Sequence, residues 1–253
     1  MQLQEPQALM LKFGLIGKNI EYSFSRKYFT EKFEKNDIDA SYVNFDCQNI
    51  ADVRKVLQDR EDECLGFNVT IPYKQTIIPY LDEMNKHASA IGAVNVIKRL
   101  NNGRLKGYNT DYIGFRKSLA PFLSQQSHKC ALILGTGGAS KAVAYTLELE
   151  DISFKYVSRN PKKGQLAYED LTPAILNKYT LIINTTPLGT YPNVTECPKL
   201  SYRQLTPKHL LYDLVYNPEE TQFLKNGKAQ GAITTNGYSM LKQQAEAAWR
   251  IWK

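Results

Sequence analysis

Residues 132–140 read Leu-Ile-Leu-Gly-Thr-Gly-Gly-Ala-Ser, an apolar run that passes without a break into a glycine-rich turn and then into helical spacing. Glycines alone also serve close backbone packing. Between a strand and a helix, Gly135, Thr136, Gly137, Gly138 and Ala139 serve a diphosphate instead, because small residues let phosphate oxygens reach the N–H groups at the positive end of the helix. The chemistry implied is dinucleotide binding. A cofactor with a free ribose 2′-hydroxyl calls for Asp or Glu about twenty residues further on, at the end of the next strand. Here that place reads Val157-Ser158-Arg159-Asn160, with no acid, followed by Lys162 and Lys163. Arg159 can lie against an adenine and pair with a 2′-phosphate, and one of the lysines adds a second charge. NADP(H) is therefore expected over NAD, although the same cations also fit a solvated loop.

Two polar clusters in the first half of the chain could hold a small polar molecule. Gly66-Phe67-Asn68-Val69-Thr70-Ile71-Pro72-Tyr73-Lys74 ends an apolar strand with Asn, Thr and Lys set among hydrophobic residues, and ligands bind at strand ends of open parallel sheets. Ser23 and Ser25 follow the first strand; in an extended segment alternate residues share a face, so both hydroxyls point one way. The same serines also read as an N-cap for the helix that follows. Both readings are compatible, since a helix start attracts carboxylates.

These residues need a framework. From Leu11 onward, short β-branched or aromatic runs alternate with longer stretches of helical spacing, the pattern of βαβ units and parallel sheets. Strands are expected at 13–16, 41–45, 64–68 and 93–99, and helices at 26–35, 50–60 and 82–91. Asn102-Gly103 makes a hairpin turn, because both residues accept positive φ. Asp111 caps a helix through Ser118, and Pro121 with the polar stretch 124–129 marks the passage to a second series. That series comprises strands at 131–134, 154–158, 181–184, 210–215 and 232–235, a helix at 139–150, and an amphipathic terminal helix at 240–252. After the strand ending near Ser158 no helix is apparent; Pro161–Gly164 leads into 165–170, which reads as extended, so one crossover is remodelled. The fold class is α/β in two domains, residues 1–110 with 238–253 and residues 111–237, the second Rossmann-like.

Composition narrows the function. The 253 residues carry 32 Lys+Arg against 25 Asp+Glu, a net charge of +7. No basic run exceeds two residues and no aromatic-basic signature accompanies them, so the charge suits anionic small molecules better than nucleic acid. Cys47, Cys64, Cys130 and Cys197 form no CxxC pair or Cys/His cluster, and are expected as unbridged, mostly buried thiols in a reducing cytoplasm. The opening MQLQEPQALM lacks the basic head and apolar core of a secretory leader, and no run of eighteen apolar residues occurs. The partners expected are small molecules, with neither nucleic acid nor membrane, and the assembly a monomer or homodimer. The natural start is Met1 or Met10.

In order along the chain, several segments resemble the shikimate dehydrogenases and the related quinate/shikimate enzymes. They are Ser23-x-Ser25, Asn68 through Lys74, Gly92-Ala93-Val94-Asn95, Asn109-Thr110-Asp111, the turn at 135–140, Asn184-Thr185-Thr186-Pro187-Leu188-Gly189, Asp213-Leu214-Val215-Tyr216, and Gly237 with Met240, Leu241, Gln244 and Ala245. The resemblance implies NADP(H)-dependent hydride transfer between shikimate and 3-dehydroshikimate. It implies that Ser23 and Ser25 hold the substrate carboxylate, that Asn68, Thr70, Asn95, Asp111 and Gln244 contact ring hydroxyls, and that Lys74 and Asp111 form the catalytic pair. Thr110 and Tyr216 belong to the substrate set. Thr185, Thr186, Pro187 and Leu188 would stand beside the ribose and nicotinamide, with Val215, Gly237 and Met240 near the nicotinamide ring. Ser158, Arg159 and Lys163 would take the adenine side. A proton-transfer group is useful because a proton must leave the alcohol oxygen as hydride leaves its carbon.

Some positions depart from the family pattern. Tyr22 and Arg26 replace the usual His and Pro around the serines, and Ser158-Arg159-Asn160 replaces Asn-Arg-Thr. Plain structural roles also stand for several residues: an exposed cation opening a helix for Lys74, a solvated amide for Gln244, a core side chain for Met240. Two other functions remain open on the sequence, a sister enzyme that uses quinate or NAD, and a ligand-binding sensor without turnover.

Overall fold

The computed structural model describes residues 10–21, 23–59, 64–125 and 128–253. The chain divides into two compact units, the residues up to Asn109 together with Ala248–Lys253, and Thr110–Ala247. Tyr22, Arg60 and the opening segment before Met10 lie outside the described residues.

The first unit opens with β1 (Leu11–Gly17), α1 (Phe24–Lys35), β2 (Ala40–Asp46), α2 (Ile50–Gln58) and β3 (Gly66–Val69). It continues with α3 (Tyr73–Thr76), β4 (Glu83–Met84), α4 (Lys86–Ile91), β5 (Val96–Arg99) and β6 (Leu105–Tyr108). Among the described residues the sheet runs β2-β1-β3-β5-β6-β4. It is mixed: β1 lies parallel to β2 and β3, whereas β5 is antiparallel to both β3 and β6. Helix starts follow local chemistry. Ser23 accepts from the Arg26 N–H, and Asn49 with Asp52 forms a capping box on α2, each satisfying donors the first turn cannot. One sheet face is closed by rings: Phe13 stacks on Trp252 with centroids 5.0 Å apart, and the Trp252 indole N–H donates to the Ile97 carbonyl at 2.9 Å. A side chain at Gly66 would collide with that indole, which explains the glycine.

Three expectations change here. The helix expected over 82–91 is a short strand followed by a helix from Lys86, because the Asn85 side chain caps the His87 N–H and Asp82 accepts from the Leu105 N–H at 2.7 Å. The strand expected from 93 begins at Val96. In the turn after β5 only Gly103 takes a positive φ, of 76°, while Asn102 accepts from the Arg104 N–H.

The second unit begins with α5 (Asp111–Gln125), β7 (Cys130–Leu134), α6 (Gly138–Leu149) and β8 (Ser153–Val157). α7 (Pro173–Lys178), β9 (Leu181–Asn184), β10 (Leu210–Asp213), α8 (Gln222–Lys228), β11 (Ile233–Thr235) and α9 (Tyr238–Trp252) follow, the last helix ending in the first unit. All its described strand pairs are parallel, in the order β8-β7-β9-β10-β11. Successive residues of β7 serve two cores, Ala131 and Ile133 on one face and Leu132 and Leu134 on the other, as a sheet covered on both sides requires.

Helix α5 does not stop at Ser118 but runs through Pro121, since Phe115 and Leu119 are fully buried and their packing outweighs the one backbone bond proline forfeits. The crossover after β8 is remodelled as expected, yet 165–170 is not an extended run. Leu166 alone bridges to Val157, and Tyr168–Asp170 makes a 3₁₀ turn held by Asp170 accepting from the Ala167 N–H. Of the cysteines, Cys47 and Cys64 are buried, Cys130 and Cys197 half-buried, and none is in a disulfide. No helix among the described residues is long and apolar enough to cross a membrane.

Candidate active site

In the first sheet the strand order reverses between β1 and β3, and loops after both strands meet at their carboxyl ends. The Thr70 N–H donates to the Ile16 carbonyl at 2.9 Å and the Lys18 N–H to the Ile71 carbonyl at 3.3 Å. Such a reversal opens a crevice where ligands bind. Ser23 and Ser25 arrive from the β1 side, both half-buried. They do not share an extended face: Ser23 is extended, but its capping bond starts α1 at Phe24, so Ser25 sits in the first helical turn.

From the β3 side come Asn68, Thr70 and Lys74. Asn68 is buried and its amide is oriented, accepting from the Tyr42 hydroxyl at 2.7 Å and donating to the Asn95 carbonyl at 3.4 Å. The Tyr73 N–H donates to the Thr70 carbonyl, starting the short α3 that carries the half-buried Lys74. The loop at 92–95 is stitched to this frame. Val94 N–H donates to the Lys74 carbonyl at 2.7 Å, Val69 N–H to the Asn95 carbonyl, and Asn95 N–H to the Tyr108 carbonyl. The Asn109 amide donates to the Ala93 carbonyl at 3.0 Å. Asn68, Thr70, Lys74 and Asn95 are thus held in one hydrogen-bonded frame.

The remaining substrate candidates belong to the second unit. Thr110 and Asp111 are buried at the start of α5. Gln244 is not a solvated amide: it is buried, and its oxygen accepts from the Thr110 hydroxyl at 3.4 Å. Helix periodicity misjudges it because a small residue faces it; the Gly114 position stands against the Gln244 backbone and Cβ. Tyr216 is exposed beyond β10.

The second sheet also reverses order, between β7 and β9, and of the predicted cofactor residues Gly135, Thr185 and Thr186 meet there. Gly135 follows β7 with φ at 103°, and a Cβ on it would stand 2.9 Å from the Thr186 methyl and 3.0 Å from the Thr185 hydroxyl. Thr185 donates its hydroxyl to the Leu134 carbonyl at 2.7 Å, tying the two strand ends. Gly137 differs. Its φ is −76°, and among the described residues, its chain neighbours apart, no atom lies within 4 Å of where its Cβ would be, so neither backbone nor packing demands glycine. A bare backbone opening the twelve-residue α6 fits a diphosphate. Thr136 is exposed, Gly138 and Ala139 half-buried.

Around this turn, Ser158 is half-buried and accepts from the Asn160 N–H, while Arg159, Lys162 and Lys163 are exposed in the loop after β8. Pro187 is exposed and Leu188 half-buried, its N–H donating to the Thr186 hydroxyl. Val215 and Gly237 are buried and joined by a Gly237 N–H to Val215 carbonyl bond. Met240 packs in the core with Phe115 and Tyr212 at 8% exposure, the structural role left open for it.

Sequence reasoning missed the role of Asp213. Fully buried, it accepts from the Asn184 amide at 2.9 Å, the Val215 N–H at 3.0 Å and the Thr221 hydroxyl at 2.5 Å, joining the loops after β9 and β10. Burial pushes its carboxyl up from 3.8 to about 6, the three donors only partly opposing this. Between those values the folded chain holds a proton that the unfolded chain has released. Stability therefore falls as pH rises through this window, by up to about 3 kcal/mol, and levels off above it. Asp213→Asn can keep all three bonds, its NH₂ donating to Thr221, and should lack this slope. Thermal unfolding of both proteins from about pH 4 to 7 checks it; parallel curves would refute the shift.

Similarity to known proteins extends over nearly the whole chain. Residues 15–97 match the family model of the shikimate dehydrogenase substrate binding domain. A shikimate dehydrogenase (NADP(+)) of Clostridium botulinum strain Hall is 40% identical, the alignment covering 96% of each chain. A shikimate dehydrogenase crystallised with NADP+ superposes with a TM-score of 0.86 at 35% identity, covering 96% of this chain and 90% of the other. One from Thermus thermophilus, in complex with NADP(H) and shikimate, gives 0.85 at 28% identity, covering 96% and 94%. With identity of this order sustained over nearly its whole length, the chain belongs to the shikimate dehydrogenase family.

Proposed function

We propose that this protein catalyses the reversible, NADP(H)-dependent reduction of 3-dehydroshikimate to shikimate. The observation that carries the reading is the frame at the end of β3, where main-chain bonds bind Lys74 to the segment bearing Asn95 and both to the strand bearing Asn68. A ring with several hydroxyls needs such converging amides and hydroxyls, and its oxidation needs a proton carrier among them. Ser23 and Ser25, beside the capped start of α1, take the carboxylate. Asn68, Thr70 and Asn95 take ring hydroxyls, together with Thr110, Asp111, Tyr216 and Gln244.

Lys74 and Asp111 handle the proton. In the reducing direction the Lys74 side chain donates a proton to the oxygen on which negative charge develops. The carboxylate of Asp111 is an acceptor for the substrate hydroxyl. When bound, NADP(H) would supply or take up the hydride. For that cofactor, Gly135 through Ala139 present N–H groups to the diphosphate, Ser158, Arg159 and Lys163 meet the adenosine 2′-phosphate side, and Thr185, Thr186, Pro187, Leu188, Val215, Gly237 and Met240 serve the ribose and nicotinamide. We place the enzyme in the cytoplasm, in keeping with four cysteines of which none is bridged.

The test is a rate measurement at about 340 nm, where the reduced nicotinamide absorbs, with shikimate or quinate and NADP or NAD. Growth of absorbance fastest with shikimate and NADP is expected. Turnover with quinate and NAD alone would give the site to the sister activity, and no turnover with any pair would leave a binding protein.

A further inference from the structure

Tyr42 carries no role in the reaction just described, yet it is where the two substrate clusters of the first unit meet. It stands on β2 opposite Phe13 of β1, and its ring stacks on the fully buried Phe29 at 4.8 Å with planes 14° apart. From there the hydroxyl reaches across β1 to the Asn68 oxygen on β3, at 2.7 Å. Ser25, in the first turn of α1, is among the polar neighbours that act on the phenol. Ser23 and Tyr42 line one groove with Arg26 and Thr30. Burial holds the phenol well above its ordinary pKa, so it remains a neutral O–H donor.

An asparagine side chain can present either an acceptor or a donor to a ligand. At Asn68 the choice is made from behind. The Tyr42 O–H occupies the amide oxygen, the Asn95 carbonyl takes one amide hydrogen, and the other hydrogen remains for a ligand oxygen. We propose that Tyr42 is a positioning residue for the substrate, fixing the Asn68 amide as a donor toward a ring hydroxyl.

The inference rests on the proposed activity, and the test separates the two. Tyr42→Phe keeps the ring on Phe29 and removes only the hydroxyl. KM for shikimate should rise about three- to tenfold, the worth of one hydrogen bond, while KM for NADP is unchanged. In an Asn68→Ala background the same change should have no further effect on the shikimate KM, because the group it positions is gone. A purely structural role would lower the active fraction and the melting temperature without this split. If the parent turns over shikimate and Tyr42→Phe leaves its KM unaltered, or raises it equally in the Asn68→Ala background, the inference is overturned. If the parent does not turn over shikimate, the proposed activity fails and this role with it.

Discussion

Lys74→Ala is expected to lower the turnover of shikimate by roughly 10²–10⁴, the usual worth of a positioned proton-transfer group, while the variant still binds the acid. The structure makes the substitution a clean one. Lys74 belongs to the short α3, where alanine is tolerated, and the bond that fixes its backbone runs from the Val94 N–H to its carbonyl, which alanine keeps. The Asn68, Thr70 and Asn95 contacts proposed for the ring hydroxyls come from other residues of the frame, so calorimetric titration with shikimate should show affinity within a few-fold of the parent. The loss should appear in kcat rather than KM, as when an interaction belongs to the transition state. A variant that turns over at the parent rate would remove Lys74 from the chemistry, and one that loses binding and turnover together would recast it as a substrate anchor.

The sequence makes the framework legible where period and punctuation agree. Strands of the second sheet stand within a few residues of their expected places because Leu132, Ile133, Leu181, Ile182 and Ile183 form short apolar runs buried on both faces, bounded by polar turns. It misleads where a side chain decides the local geometry. The N–H groups claimed by Asn85 and Asp82 turned an expected helix into strand then helix, and the Ser23 cap drew Ser25 into α1. Of the site, the glycine turn and the Asn68–Lys74 segment announce themselves by residue type. Tyr42, Asp213 and Thr221 do not, because an aromatic in a strand, an acid at a strand end and a threonine before a helix all have commonplace structural readings. Their roles depend on pairs such as Tyr42 with Asn68, separated by 26 positions, and no spacing rule along one chain brings those together.

Gly137→Val should leave the fold nearly intact and raise KM for NADP by about 10- to 100-fold, while Gly135→Ala should destabilise the protein itself. The two glycines stand two residues apart but answer to different demands. Gly135 has φ of 103°, where a side chain is strained, and its Cβ would press on Thr185 and Thr186; a cost of about 1–3 kcal/mol in unfolding follows. Gly137 has φ of −76° and ψ of −176°, extended values that valine adopts readily, and its Cβ would meet no atom of the described residues within 4 Å, its chain neighbours apart. Losing a glycine cap on α6 should cost at most about 1 kcal/mol. The space above Gly137 is thus kept clear with little benefit to the fold, and a branched side chain there chiefly obstructs a ligand seated on the N–H groups opening α6. KM for shikimate should hardly move. Thermal melts and paired titrations with NADP decide it: equal NADP affinity in Gly137→Val would mean that the diphosphate is held elsewhere, and a large fall in melting temperature would mean that this glycine, too, is there for folding.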